Sequence, residues 1–128
     1  DNTADIVLID SPSGLGHEVE QVLKNTDEVV VVVNPTVSSA VDALKTLQIA
    51  KENNNIVAGI LLNMSNGGRN ELKREEVEEI LGHPVIANVR HDKKIRKSLH
   101  HKVPVNYKYP RSRTSKEYLK IANHLNLN

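Results

Sequence analysis

The sequence predicts an α/β fold, a mostly parallel sheet with flanking helices. Three observations carry this expectation. Four short apolar runs, Ile6–Ile9, Val29–Val33, Ile56–Leu62 and Val85–Val89, recur along the 128 residues. None of them alternates cleanly, and continuous Val/Ile/Leu runs suit strands buried on both faces. Segments of helical period lie between the runs, and strands alternating with helices build crossovers onto a parallel sheet. Four strands are expected, in a single domain.

Each element has its own signal. His17–Lys24 places Val19, Val22 and Leu23 at helical spacing. Ser38–Lys51 carries Val41, Leu44, Leu47 and Ile49, with Ser38 or Ser39 as the expected cap. Lys73–Leu81 sets Val77, Ile80 and Leu81 on one face, and Gly82 with Pro84 marks its end. Lys93–His101 carries Ile95 and Leu99. Ser115–Leu125 carries Tyr118, Leu119, Ala122 and Leu125, with Ser115 as the expected cap. Val103–Ser115 reads as the longest irregular stretch.

Composition narrows the function. A formal net charge of +1 points to no particular class of partner. The absence of cysteine excludes disulfides and thiolate-held metal clusters in these residues and fits a reducing, cytoplasmic setting. No apolar run reaches the ~20 residues of a membrane span. The six histidines show no metal-ligand spacing. The only methionine is Met64 and an apolar run begins at Ile6, so the sequence reads as part of a longer chain.

Ligands of open α/β sheets bind outside the carboxyl ends of the strands. The four runs exit there into Asp10-Ser11-Pro12-Ser13-Gly14, Asn34-Pro35-Thr36, Asn63-Met64-Ser65 and Arg90-His91-Asp92. A carboxylate fixed at a strand end, such as Asp10, suits Mg²⁺ held through water, and Gly14 lets a backbone N–H approach a phosphate. Capping of the following turn is the other use of the same residues. Asn34 and Asn63 offer a donor and an acceptor to a purine edge, or simply turn the chain. Asn66–Asn70, "NGGRN", is a turn and not a phosphate loop, because no Gly-Lys-Ser/Thr follows. Arg90–Lys102 holds six Lys/Arg against one Asp, and suits either a polyanion (DNA or an anionic membrane) or a solvated helix face.

As an ordered set, these motifs resemble the MinD/ParA family of P-loop ATPases with a deviant Walker A motif. "VLIDSPSGLG" is similar to its Walker B and switch II segment. "DEVVVVVNPTVSSAVDALK" resembles the next strand and helix, and "AGILLNM" the strand ending in the base-recognising Asn. "EEVEEILGHPVIANVRHDKKIRKSLHHKVPV" follows the family's run up to its "PV". The resemblance extends to about Leu125, and archaeal MinD-like proteins are the nearest type. It implies Asp10 near Mg²⁺, Gly14 at the γ-phosphate, Asn63 on adenine, and Arg90, His91 and Asp92 as the wall of the base pocket. Arg90 departs from the family, which usually has Pro there.

The resemblance also implies that residues 1–128 are the C-terminal portion of one ATPase domain, without the phosphate loop and switch I. It implies ATP or ADP with Mg²⁺ as ligands, an ATP-dependent homodimer, and an unidentified regulatory protein partner. The intact protein would hydrolyse ATP and position a division site or other cargo, while these residues alone would be inactive. A ParA-like DNA-partition protein and a nucleotide-free interaction domain are the alternatives. Relatives with iron–sulfur clusters use cysteines, which this portion lacks. In the family fold the absent first strand lies between the Walker B strand and the next, so Ile6–Ile9 is not expected to pair with Val29–Val33.

Overall fold

The computed structural model describes residues 4–127. Its elements run α1 (His17–Lys24), β1 (Glu28–Val33), α2 (Val37–Glu52), β2 (Ile56–Ser65), α3 (Arg74–Leu81), β3 (Val85–Arg90), α4 (Lys93–His100), α5 (Val105–Lys108) and α6 (Arg113–His124). The three strands form one parallel sheet in the order β1-β2-β3. The α/β class and its parallel sheet are as the sequence predicts, but the described sheet has three strands where four were expected.

The difference lies in the first apolar run. Ile6–Ile9 forms no strand, and its side chains are 49–74% exposed. A strand needs a neighbouring ladder to satisfy its backbone groups, and this segment does not pair with β1. Instead, a cavity of about 620 Å³ is lined by Ile9–Leu15 on one side and by β1 and α2 on the other. The expected lack of pairing with Val29–Val33 therefore holds among the described residues.

One face of the sheet carries the core. Val31 and Val33 of β1, Ile60 and Leu62 of β2 and Val85 of β3 pack with Ala43 and Leu47 of α2 and with Val77 and Leu81 of α3. The core is aliphatic, as a chain with no Phe or Trp requires. A smaller cluster joins Val19 and Leu23 of α1 to Ala50 of α2. On the other face α6 packs on β3, while Val32 of β1 stays 56% exposed. The Val29–Val33 run is therefore not buried on both faces.

Local chemistry fixes the element ends. Thr36 caps α2 by accepting the Ser39 N–H at 3.2 Å, and the Ser39 hydroxyl accepts the Asn34 N–H at 3.0 Å. The cap is thus two residues before Ser38 and three before Ser39. Ser112 caps α6, displacing Ser115 from that role. The Ser115 hydroxyl instead donates to the Tyr109 carbonyl at 2.7 Å and so ties down the short helix α5, which lies within the stretch expected to be irregular. Gly82 ends α3 with φ 67°, the left-handed cap that glycine adopts at little cost. Gly59 is required by close approach: a Cβ there would lie 2.4 Å from Ile86 Cγ2.

Candidate nucleotide site

The carboxyl ends of β2 and β3 bring four of the sequence-predicted residues together. β2 runs three residues beyond the apolar run, to Ser65, so Asn63 lies inside the strand opposite Val89 rather than after it. The ladder continues because Ser65 pairs with Arg90 and its carbonyl accepts the His91 N–H at 3.0 Å. Between them Met64 takes φ 57°, at the register shift that separates Asn63 from Ser65. A bulge of this kind re-aims side chains at the end of a strand. The Asn63 side chain is half-buried and makes no hydrogen bond among the described residues.

Arg90, His91 and Asp92 follow at the end of β3. The Arg90 guanidinium folds over the Asn66–Gly67 turn, where Nη2 reaches the Asn66 carbonyl at 3.5 Å. That turn is closed from below by the Glu71 carboxylate, which accepts the N–H groups of Asn66 and Gly67 at 2.9–3.0 Å. "NGGRN" is thus a turn, with Gly67 at φ 74°. His91 is exposed. Asp92 caps α4: Oδ1 accepts the Lys94 N–H at 2.8 Å and Oδ2 accepts the Thr114 hydroxyl at 2.5 Å. The Thr114 hydroxyl, then the Lys94 N–H, hold its carboxyl below the usual range against a smaller effect of burial.

Four residues that sequence reasoning missed brace this edge. Ser65 donates to Asn88 Oδ1 at 2.6 Å, and the Asn88 N–H donates to Glu117 Oε2 at 3.0 Å. Lys120 completes the run with 2.7 Å to Glu117 Oε1. Burial alone would raise the Glu117 pKa; Lys120 and the Asn88 N–H together outweigh it and hold the group lowered. Thr114 is the fourth, through Asp92. Helix α6 is thereby tied twice to the carboxyl edge of β3. A polar residue inside the apolar run "VIANV" was the available signal for Asn88.

Asp10 and Gly14 lie elsewhere. Both line the 620 Å³ cavity on the free side of β1, so β1 and the cavity separate them from Asn63 on β2. The Asp10 carboxylate is exposed and makes no hydrogen bond or ion pair among the described residues. Gly14 has φ 102°, and a Cβ there would meet no atom within 4 Å, so backbone conformation rather than crowding calls for glycine. No group of three or more His, Cys, Asp or Glu placed to hold a metal occurs among the described residues. A lone uncommitted carboxylate still fits Mg²⁺, which keeps most of its waters and takes its other ligands from phosphates.

Comparison with known proteins places this architecture. A ParA-type family model, described as NUBPL iron-transfer P-loop NTPase, matches residues 2–126. An uncharacterised ATP-binding protein of Methanocaldococcus jannaschii is 35% identical over 118 residues, 92% of this chain and 45% of that protein. The cell division ATPase MinD of Pyrococcus furiosus superposes with a TM-score of 0.88 at 25% identity, covering 95% of this chain and 52% of that one. The septum site-determining protein MinD of Pyrococcus horikoshii, solved with Mg-ADP, gives a TM-score of 0.84 at 22% identity over 91% and 48% of the two chains. The chain spans about half the length of these relatives.

Proposed function

This chain belongs to the ParA family of P-loop NTPases, and from that premise we propose that it is the C-terminal part of a MinD-like ATPase. The whole protein binds ATP or ADP with Mg²⁺, dimerises around ATP and regulates the placement of a division site or another cargo. The observation that carries this reading is the grouping of an uncommitted Asn63 amide with Arg90, His91 and Asp92 at one sheet edge. The Mg-ADP bound by the MinD of Pyrococcus horikoshii, which shares the fold, supports it.

In this reading Asn63 donates to and accepts from the adenine edge. Arg90 and His91 wall the base pocket, and Asp92 holds that wall in place through α4 and Thr114. Asp10 orients waters of the ion, and the Gly14 N–H meets the terminal phosphate. Mg²⁺, when bound, offsets the phosphate charge on which phosphoryl transfer depends. These 128 residues hold no Gly-rich loop followed by Lys-Ser/Thr, so we assign hydrolysis to the intact ATPase and not to this portion alone. Iron transfer is not proposed, because no cysteine is present here to carry it.

Base recognition is tested by Asn63→Ala in the full chain. Adenine nucleotide binding is expected to weaken by about 1–2 kcal/mol, the worth of lost polar contacts, and ATP-over-GTP preference to fall. Unchanged preference would remove Asn63 from the site.

A second reading is a DNA-binding partition role for the same fold. Arg90–Lys102 with Lys108, Arg111 and Arg113 sets nine Lys/Arg against Asp92 alone, so this stretch carries +8 and the rest of the chain −7. None of the ion pairs among the described residues draws on it. Reversing Lys93, Lys94 and Lys97 to Glu is expected to abolish salt-dependent binding to random duplex DNA. Anionic vesicles are the control for a membrane instead. Absence of salt-dependent DNA binding in the wild type would end this reading.

A further inference from the structure

The edge of the sheet opposite the nucleotide site carries an open depression of about 860 Å³. It lies where α2 ends and β2 and β3 begin, between Lys51, Asn55 and His83. Two features of its lining point to one kind of occupant.

The floor is aliphatic. Leu44, Leu47 and Val57 line it, and Leu44 is left 41% exposed on a helix whose other face is core. The rim is cationic. Lys45 and Lys51 line the depression beside His83, and no carboxylate does. Neither lysine has an ion-pair partner among the described residues, and Glu52 nearby already accepts from the Gln48 amide at 3.3 Å. This local excess of positive charge stands in the part of the chain that is net acidic.

We propose that this depression binds an acidic, leucine-bearing segment of a partner protein. An apolar side chain of the segment rests on Leu44, Leu47 and Val57, as an anchor in a small interface does. Its carboxylates face Lys45 and Lys51. A free inorganic anion leaves the aliphatic floor wet, and a nucleic acid finds no aromatic ring in the lining to stack on. The site lies at the amino ends of the strands, so its occupant does not compete with nucleotide at the carboxyl ends. The proposal is independent of the ATPase reading.

The test is fluorescence anisotropy of the full chain with a fluorescein-labelled twelve-residue peptide of repeated Glu-Asp-Leu, beside a Glu-Asp-Ser control. Tighter binding of the leucine peptide is expected. The double variant Lys45→Glu/Lys51→Glu is expected to weaken it by about tenfold or more, with a steeper loss at higher salt. Leu44→Asn, at an exposed position, is expected to erase the preference over the serine control while nucleotide binding stays unchanged. No binding by the wild type overturns the proposal. So does equal binding of both peptides, or loss of binding only when Lys93 and Lys97 on α4 are reversed. If the full chain self-associates in sedimentation and Lys45→Glu/Lys51→Glu abolishes that, the occupant is a second copy and the partner assignment falls.

Discussion

At the scale of single residues, Asp92 and Glu117 matter most, because each is an acid used as a structural acceptor at the β3 edge. Both carboxyls are held below the usual range, Asp92 by Thr114 and Lys94 and Glu117 by Lys120 and Asn88. A group with a lowered folded pKa contributes stability that is fully present above its unfolded pKa. That contribution is lost as pH falls through the folded value. Chemical-denaturation stability is therefore expected to drop below about pH 4, where free carboxyls begin to protonate. Thr114→Val should lower stability at pH 7 by about 1–2 kcal/mol and flatten that acid dependence. An unflattened profile would mean that Asp92 is not held by Thr114. Glu117→Ala leaves the Asn88 N–H unpaired and is expected to cost about 1–3 kcal/mol, with Glu117→Gln recovering part of it.

Gly59 sets a second residue-scale expectation. Its φ is 149° and a Cβ would lie 2.4 Å from Ile86. Gly59→Ala therefore forces β2 and β3 apart or moves Ile86, at a cost of about 1–3 kcal/mol read from urea midpoints. A neutral substitution would show that Ile86 shifts freely.

At the scale of elements, periodicity and stop signals located five of the six helices and all three strands to within a few residues. Helix α3 shows why: apolar positions at helical spacing and a glycine in the left-handed cap are local facts. What failed to show in the sequence depended on distant partners. β2 runs on through Asn63 and Met64 because β3 offers Arg90 to Ser65, and no local signal in "LNMS" reveals that. Helix α5 exists because the Ser115 hydroxyl reaches back to Tyr109. The caps were misplaced among neighbouring Ser and Thr, which are chemically equivalent until the backbone chooses one. Ser112→Ala is expected to cost about 1 kcal/mol and Ser38→Ala almost nothing, by denaturation of each variant. The reverse order would return the caps to where local sequence placed them.

At the scale of the whole molecule, the candidate site is divided in the same way. The placing of Asn63, Arg90, His91 and Asp92 at one edge was legible because strand ends of a parallel sheet converge there. Their support by Asn88, Glu117 and Thr114 was not, because it spans as many as 29 residues. Asp10 and Gly14 face a cavity beside β1 rather than a paired strand, and Ile6–Ile9 stands exposed beyond it. We interpret that arrangement as one half of a nucleotide site, matching a chain that spans about half the length of its relatives. The most direct test is calorimetric titration of Mg-ADP into the full-length protein, wild type and Asp10→Ala, with and without Mg²⁺. The account predicts that wild-type affinity rises with Mg²⁺ and that Asp10→Ala abolishes this gain while retaining metal-free binding. A wild type that binds no adenine nucleotide, or an Asp10→Ala variant with an undiminished Mg²⁺ gain, would contradict it.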